Sequence, residues 1–86
     1  MKITLEALKE LVSANTNVKP TIQMVWIDMG SGWQDYTLVA PATEKFGSYQ
    51  MIPPMVLQKI KKGTFTISDA QAFINEINEK EKNYEN

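Results

Sequence analysis

Residues 21–40 constrain the fold more than any other segment, because two runs of β-forming residues flank a glycine-rich turn. The turn residues are Gly30, Ser31 and Gly32, and the pattern predicts an antiparallel β-hairpin. Half-buried hairpins alternate apolar and polar residues, whereas both faces of this one are rich in apolar side chains. One face carries Ile22, Met24, Trp26, Tyr36 and Leu38, and the other carries Val25, Ile27, Met29, Trp33 and Val39. A single covering layer would hide only one of these faces.

The register of the hairpin depends on the length of its turn. A two-residue turn would place Asp28 opposite Asp35, and like charges directly opposite each other are destabilising. A three-residue turn with Gly32 in the left-handed conformation avoids this pair. We therefore expect the three-residue turn, which pairs Met29 with Trp33, Trp26 with Tyr36 and Asp28 with Gln34.

Helical patterns lie on both sides of the hairpin. Residues 3–14 carry a leucine-rich apolar stripe, and Thr4 is placed to cap the start of this helix. A short extended segment at residues 48–52 would supply a third strand. The sequence thus predicts a helix followed by two or three strands.

Two further helices are predicted after residue 52. Prolines 53–54 suit the first turn of a helix that ends near Lys62, with Gly63 in the left-handed C-cap position. Ser68 followed by Gln71 has the spacing of a capping box, and it predicts the start of a longer helix. The buried stripe of that helix would consist of Ile67, Ala70, Phe73, Ile74 and Ile77. The whole order predicts an α+β fold with helices packed on an antiparallel sheet.

A chain of 86 residues, 43% of them hydrophobic, is long enough for one modest core. We expect a single small α+β domain at residues 1–80 and a frayed polar tail at residues 81–86. The first apolar stretch is interrupted by charged residues, which argues against a secretory signal or a membrane span. We therefore expect a cytoplasmic protein.

The composition removes most enzyme classes. The chain contains no cysteine and no histidine, which excludes thiolate nucleophiles, histidine general bases and the usual zinc ligands. The pair Asp28 and Asp35 near the turn is adequately explained by solvation. We predict no catalytic residue, no cofactor and no metal site, and a non-enzymatic protein.

A contact surface for another protein is the leading functional hypothesis. The predicted partner-binding residues are Trp33, Met29, Ile27, Val25 and Val39. Trp33 would be the anchor, because tryptophan is enriched among the residues that dominate binding energy. The alternative is that the helices of the chain itself cover this face. A homodimer is one arrangement in which the second face would be hidden.

A nucleic-acid-associated regulator is the first alternative function. Lys59, Lys61 and Lys62 cluster at the predicted end of a helix, where their charges also complement the helix dipole. The net charge is -1 and every cation is a lysine, so the chain lacks the bidentate fork of arginine. We therefore regard nucleic acid as a less favoured partner, and a small ligand sequestered beneath the hairpin is a third hypothesis.

The composition also resembles that of accessory proteins of phages and mobile elements in low-GC bacteria. The chain is short, rich in Lys, Asn, Ile and Glu, and free of His, Cys and Arg. The resemblance implies a protein that binds and inhibits a host or defence protein. It implies nothing about individual residues.

Overall fold

The structure is a computed structural model that describes residues 2–27 and 32–84, with the backbone alone at residues 82–84. Its elements are α1 (Leu5–Asn15), β1 (Thr21–Ile27), β2 (Trp33–Ala40), β3 (Tyr49–Gln50), α2 (Pro54–Lys62) and α3 (Ile67–Tyr84). The strands form one antiparallel sheet in the order β1-β2-β3. The predicted α+β class is confirmed. Within the described ranges, no helix combines the length and the apolar character needed to cross a bilayer.

The hairpin forms, but its register differs by two residues from the predicted one. Trp26 lies opposite Gln34 and Met24 lies opposite Tyr36, so the predicted pairing of Trp26 with Tyr36 is wrong. Ile27 pairs with Trp33, and residues 28–32 lie between them. The connection is two residues longer than predicted. Asp35 still does not lie opposite Asp28, because it pairs with Val25. A shift of two residues leaves every side chain on its predicted face.

The predicted ends of the first two helices are confirmed. The Thr4 side chain accepts a hydrogen bond from the Ala7 backbone N–H at 3.1 Å, which caps α1. Pro54 occupies the first turn of α2, where its missing N–H costs no helical hydrogen bond. Gly63 ends α2 with φ of 78°, a conformation that favours glycine.

The start of α3 uses a different capping box from the predicted one. The Thr66 backbone N–H donates to Asp69 Oδ2 at 2.9 Å, and the Asp69 N–H donates to Thr66 Oγ1 at 3.1 Å. This reciprocal pair replaces the predicted pair of Ser68 and Gln71. Ile67 follows the cap directly and is exposed, so it does not belong to the buried stripe.

The C-terminal part of α3 extends beyond the predicted domain end. The helix continues to Tyr84, so the segment predicted as a frayed tail from residue 81 is helical as far as that residue. The remaining residues 85–86 lie outside the described part of the chain.

The core draws on every helix and on the two longer strands. Its buried members are Ile3, Leu8, Val12, Ile27, Leu38, Ile52, Leu57, Ile60, Phe65 and Ala70. Strand β2 changes character along its length: side chains at positions 33–36 alternate between partly buried and exposed, whereas Thr37–Ala40 are all buried. One half of β2 is therefore covered on both faces, and the half nearest the turn is covered on one.

Candidate interaction surfaces

The hairpin face that the sequence singled out lies against the core. Ile27 is 1% exposed and Val39 is 6% exposed. Val25 and Trp33 are partly buried and pack against the core cluster. The prediction that these side chains form an open contact surface is wrong for Ile27 and Val39. Met29, the fifth predicted residue, lies outside the described residues. Among the described residues of this face, the body of the protein covers Ile27 and Val39 and covers Val25 and Trp33 in part.

The opposite face of the hairpin is open in the half nearest the turn, whereas Leu38 at its other end is buried. Met24, Trp26 and Tyr36 are 50%, 60% and 54% exposed, respectively. Met24 and Tyr36 are direct cross-strand partners, and Trp26 is two residues along from Met24 on the same face of β1. We call Met24, Trp26 and Tyr36 the outer hairpin face.

The Trp26 indole is held close to the backbone near the turn. A Cβ atom built on Gly32 would lie 2.5 Å from Trp26 Nε1 and 2.6 Å from two ring carbons. Glycine is therefore the residue that allows the ring to lie over the chain at this point. The contact positions the most exposed ring of the outer hairpin face.

The backbone of Trp26 is also tied to the third strand. Gln50 Nε2 donates a hydrogen bond to the Trp26 carbonyl oxygen at 3.2 Å. In the sheet, Gln50 lies opposite Val39 and Val39 lies opposite Thr21, five positions from Trp26. A straight strand would separate these positions by roughly 16 Å, so the hairpin must curl toward β3. This curl brings β1 within hydrogen-bonding reach of β3, which lies on the other side of β2.

Asp35 connects the covered side of the hairpin to the end of α2. Its Oδ2 forms an ion pair with Lys61 Nζ and accepts from Trp33 Nε1 at 3.3 Å, while its Oδ1 accepts from the Tyr36 N–H at 2.8 Å. The Lys61 ammonium is the main cause that lowers the pKa of Asp35 from its ordinary value, and desolvation opposes the shift. The same carboxylate thereby fixes the Trp33 ring and anchors α2 against the hairpin.

Two lysines of the predicted nucleic-acid cluster are paired with carboxylates. Lys61 contacts Asp35, and Lys59 Nζ lies 3.3 Å from Asp69 Oδ2. Lys62 is exposed in the last turn of α2, where its charge complements the helix dipole. The cluster thus has at least two acids among its immediate neighbours, which weakens its attraction for a phosphate backbone.

A groove of about 1120 Å³ lies between β3, the connection that precedes it, and α3. Its apolar lining includes Phe46, Tyr49, Met51, Val56, Phe73 and Ile77. Its charged lining consists of Lys19, Lys45, Lys80, Glu44, Glu76 and Glu81. We call this concave surface the α3 groove.

The acidic side chains of the described residues are dispersed over the structure. No group of three or more His, Cys, Asp or Glu side chains there could hold a metal ion. Asp28, which the sequence places near Asp35, lies outside the described part of the chain. The suggested aspartate pair therefore has one described member, and that member is engaged by Lys61.

Comparison of the chain with known protein families, with curated proteins and with solved structures found no match. The function must therefore be argued from the two surfaces themselves. Sequence reasoning identified the outer hairpin face as apolar but assigned function to the other face. It missed the α3 groove, although the spacing of Phe73 and Ile77 on one side of a helix was visible.

Proposed function

We propose that this chain is a non-enzymatic protein-binding module that contacts its partner through the outer hairpin face. The observation that carries the proposal is the exposure of Met24, Trp26 and Tyr36 side by side on the sheet. Methionine, tryptophan and tyrosine are enriched in the cores of protein interfaces. Met24, Trp26 and Tyr36 are also adjacent in the sheet, so a single partner surface can cover all three.

The two aromatic rings offer enough surface to anchor an interface. A fully covered aromatic side chain contributes about 200 Å², so the exposed fractions of Trp26 and Tyr36 leave roughly 230 Å² available. At about 25 cal/mol per Å², covering this area is worth up to about 6 kcal/mol before the entropic cost of association. The outer hairpin face therefore fits the role of a hot spot at the centre of a larger interface.

The chemistry of the face favours a protein partner over a nucleic acid. Met24, Trp26 and Tyr36 carry no charge at neutral pH, and the nearest position on the same face of β2 is Gln34. A phosphate backbone would gain no ion pair from these side chains. The nucleic-acid function stays a prediction, and it would have to depend on the lysines of α2.

A second protein is a better occupant than a second copy of this chain. Two copies docked through these residues alone would cover only about half of the roughly 1,200 Å² in total that specific complexes bury. A larger partner can also contact the surroundings of the face. Its identification as a host or defence protein, and the location of the complex in the cytoplasm, remain predictions from composition and sequence.

The test is affinity capture with matched variants, followed by measurement on the purified pair. Trp26→Ala and Met24→Ala change the outer hairpin face, and Met55→Ala removes a still more exposed methionine on α2. We expect a partner that is retained by the wild type and by Met55→Ala, with binding weakened at least about 30-fold by Trp26→Ala, as for a hot spot worth 2 kcal/mol.

Two results would contradict the proposal. One is a purified partner that binds wild type and Trp26→Ala with equal affinity. The other is a stable homodimer, measured by light scattering, that is dissociated by Trp26→Ala, because the face would then be occupied by a second copy. A Trp33→Phe background leaves Trp26 as the sole indole, and its emission should shift to shorter wavelength when a partner covers it.

A further inference from the structure

The backbone of β1 has a side that faces away from β2, and the ladder shows which residues point there. In the part of the chain that the structure describes, no strand pairs with β1 on that side. The Met51 N–H donates to the Leu38 carbonyl at 2.9 Å, so the backbone groups of Leu38 point toward β3 and not toward its partner Ile22. Hydrogen-bonded and non-hydrogen-bonded pairs alternate along an antiparallel ladder. The N–H and C=O groups of Ile22, Met24 and Trp26 therefore point away from β2, and we call them the free edge of β1.

Most of the free edge has no partner within the described ranges. The Trp26 carbonyl accepts from Gln50 Nε2 at 3.2 Å, whereas the groups of Ile22 and Met24 and the Trp26 N–H have no hydrogen bond to a described residue. The side chains of Gln23 and Met24 project to opposite faces of β1, and both are exposed. A helix or loop lying along the edge would hide at least one of them, so the edge is open to solvent at this point.

The chemistry of the free edge selects an extended polypeptide as its occupant. Outward-pointing N–H and C=O groups recur every second residue, at intervals of about 6.8 Å. A helix uses its backbone groups internally, so it has few to offer such an edge. An extended segment presents donors and acceptors at the matching repeat, and strand addition to a sheet edge is a recurrent mode of peptide recognition.

The side chains of β1 define the sequence pattern of that segment. Residues opposite Met24 and Trp26 would place their side chains beside the outer hairpin face, where apolar groups gain contact. The intervening residues would lie beside Thr21 and Gln23, which are polar and exposed. A segment that alternates apolar and polar residues therefore fits both sides of the edge.

We infer that the partner protein adds an extended segment to the free edge of β1 and covers the outer hairpin face with the apolar side chains of that segment. This rests on the proposed function, because it names the element through which the same partner binds. A second copy fits less well. The edge of a seven-residue strand is about 24 Å long and about 10 Å thick, so two copies joined edge to edge would bury roughly 480 Å², well below the roughly 1,200 Å² of specific complexes.

The test uses a defined probe, a nine-residue peptide in which threonine and valine alternate between two terminal lysines. Two forms of identical composition are compared, with methyl groups on three threonine nitrogens or on three valine nitrogens. When the valines lie on the outer hairpin face, the threonine nitrogens face away from β1 and the valine nitrogens face its free edge. We expect the threonine-methylated form to bind the ¹⁵N-labelled protein at least about tenfold more tightly, because the other form loses its hydrogen bonds to the edge.

Amide exchange reports which groups of β1 the peptide uses. In the free protein, the N–H groups of Ile22 and Met24 should exchange faster than those of Gln23 and Val25, which bond to β2. When about nine-tenths of the protein is occupied by the threonine-methylated peptide, exchange at Ile22 and Met24 should slow about tenfold. Exchange at Gln23 and Val25 should change less than about twofold. A ligand that covers only side chains would not produce this alternation.

A pair of variants at one position isolates a single N–H of the free edge. Met24→Pro removes that N–H, and a proline at this position of an edge strand costs no hydrogen bond to β2. Met24→Ala is the matched control, because it shortens the side chain and keeps the N–H. Met24→Pro should bind the threonine-methylated peptide at least about fivefold more weakly than Met24→Ala does. Circular dichroism checks the fold of both variants, and the comparison of the two peptides on the wild type does not depend on either.

Three results would overturn the inference. Neither peptide binds at millimolar concentration, or the two forms bind equally well, or exchange at Ile22 and Met24 slows as the concentration of the protein alone rises, because a second copy would then occupy the edge. Its failure can be told apart from that of the proposed function. A purified partner that is weakened by Trp26→Ala but leaves exchange at Ile22 and Met24 unchanged would overturn strand addition alone.

Discussion

Thr37 offers a direct test of the energetics of the core. It lies in the middle of β2, is 0% exposed, and its Oγ1 finds no hydrogen-bond partner among the described residues. Transfer of a hydroxyl from water to an apolar site without a partner costs about 1–3 kcal/mol. Valine has nearly the same shape and the same preference for strands, so Thr37→Val removes this cost without creating a cavity.

The expected gain for Thr37→Val is about 1–2 kcal/mol in the free energy of unfolding. The entropy of unfolding for a chain of this length is about 180 cal/mol/K, so the melting temperature should rise by about 6–11 °C. Calorimetry gives the melting temperature, and urea titration gives the free energy with the slope that reports exposed surface.

Two control variants define what the result means. Thr37→Ser keeps the hydroxyl and removes a buried methyl group, and it should lower stability by about 1 kcal/mol. Thr21→Val changes an exposed threonine of the same sheet and should stay within about 0.5 kcal/mol of wild type. If Thr37→Val is no more stable than wild type, the hydroxyl has a partner in solution and the reasoning fails.

Two further predictions follow from polar and steric contacts. The pKa values of Asp35, through Lys61, and of Asp69, through the Thr66 N–H, are lowered from their ordinary value. Their contribution to stability is therefore complete above about pH 5 and is lost as the pH falls through about 4 and below, which urea titrations at a series of pH values will measure. Gly32→Ala should displace the Trp26 ring, because the new methyl group would lie 2.5 Å from Trp26 Nε1, and partner binding should weaken while the fold persists.

Each of these predictions has a clear contrary outcome. A free energy of unfolding that is constant from pH 6 to pH 3 would show that the two carboxylates are not stabilised in the folded state. Asp35→Asn is the control, since it should flatten part of the acid dependence. For Gly32→Ala, unchanged Trp26 quenching by acrylamide together with unchanged affinity would show that the ring does not depend on the glycine.

Local patterns predicted the elements of this fold well, because the signals act within one turn or one strand. Thr4, Pro54 and Gly63 each satisfy a backbone requirement of their own helix, so their roles can be inferred without tertiary information. The start of α3 was missed by two residues, because Thr66 with Asp69 competes with Ser68 and Gln71 for the same function and the sequence favours neither clearly.

The exposed face of the hairpin could not be predicted, because both faces are apolar and the choice is made by tertiary packing. Ile27 and Trp33 are as hydrophobic as Met24 and Trp26, and the side that meets the core is covered. The length of the turn could not be predicted from local patterns either. The requirement that Asp35 does not lie opposite Asp28 is met by a five-residue connection as well as by a three-residue one. The prediction of which side chains share a face is still correct, because the observed register differs from the predicted one by an even number of residues.

The position of β1 in the sheet has a consequence for solubility. Among the described residues, this strand has β2 on one side and no strand on the other, and its seven residues contain neither a charged side chain nor a proline. Natural sheets usually protect such an edge with lysine, proline or a bulge, because unpaired backbone groups can recruit another strand. Met24 and Trp26 lie on this same strand. Two residues of the proposed contact face therefore belong to the strand whose unpaired edge can recruit another strand.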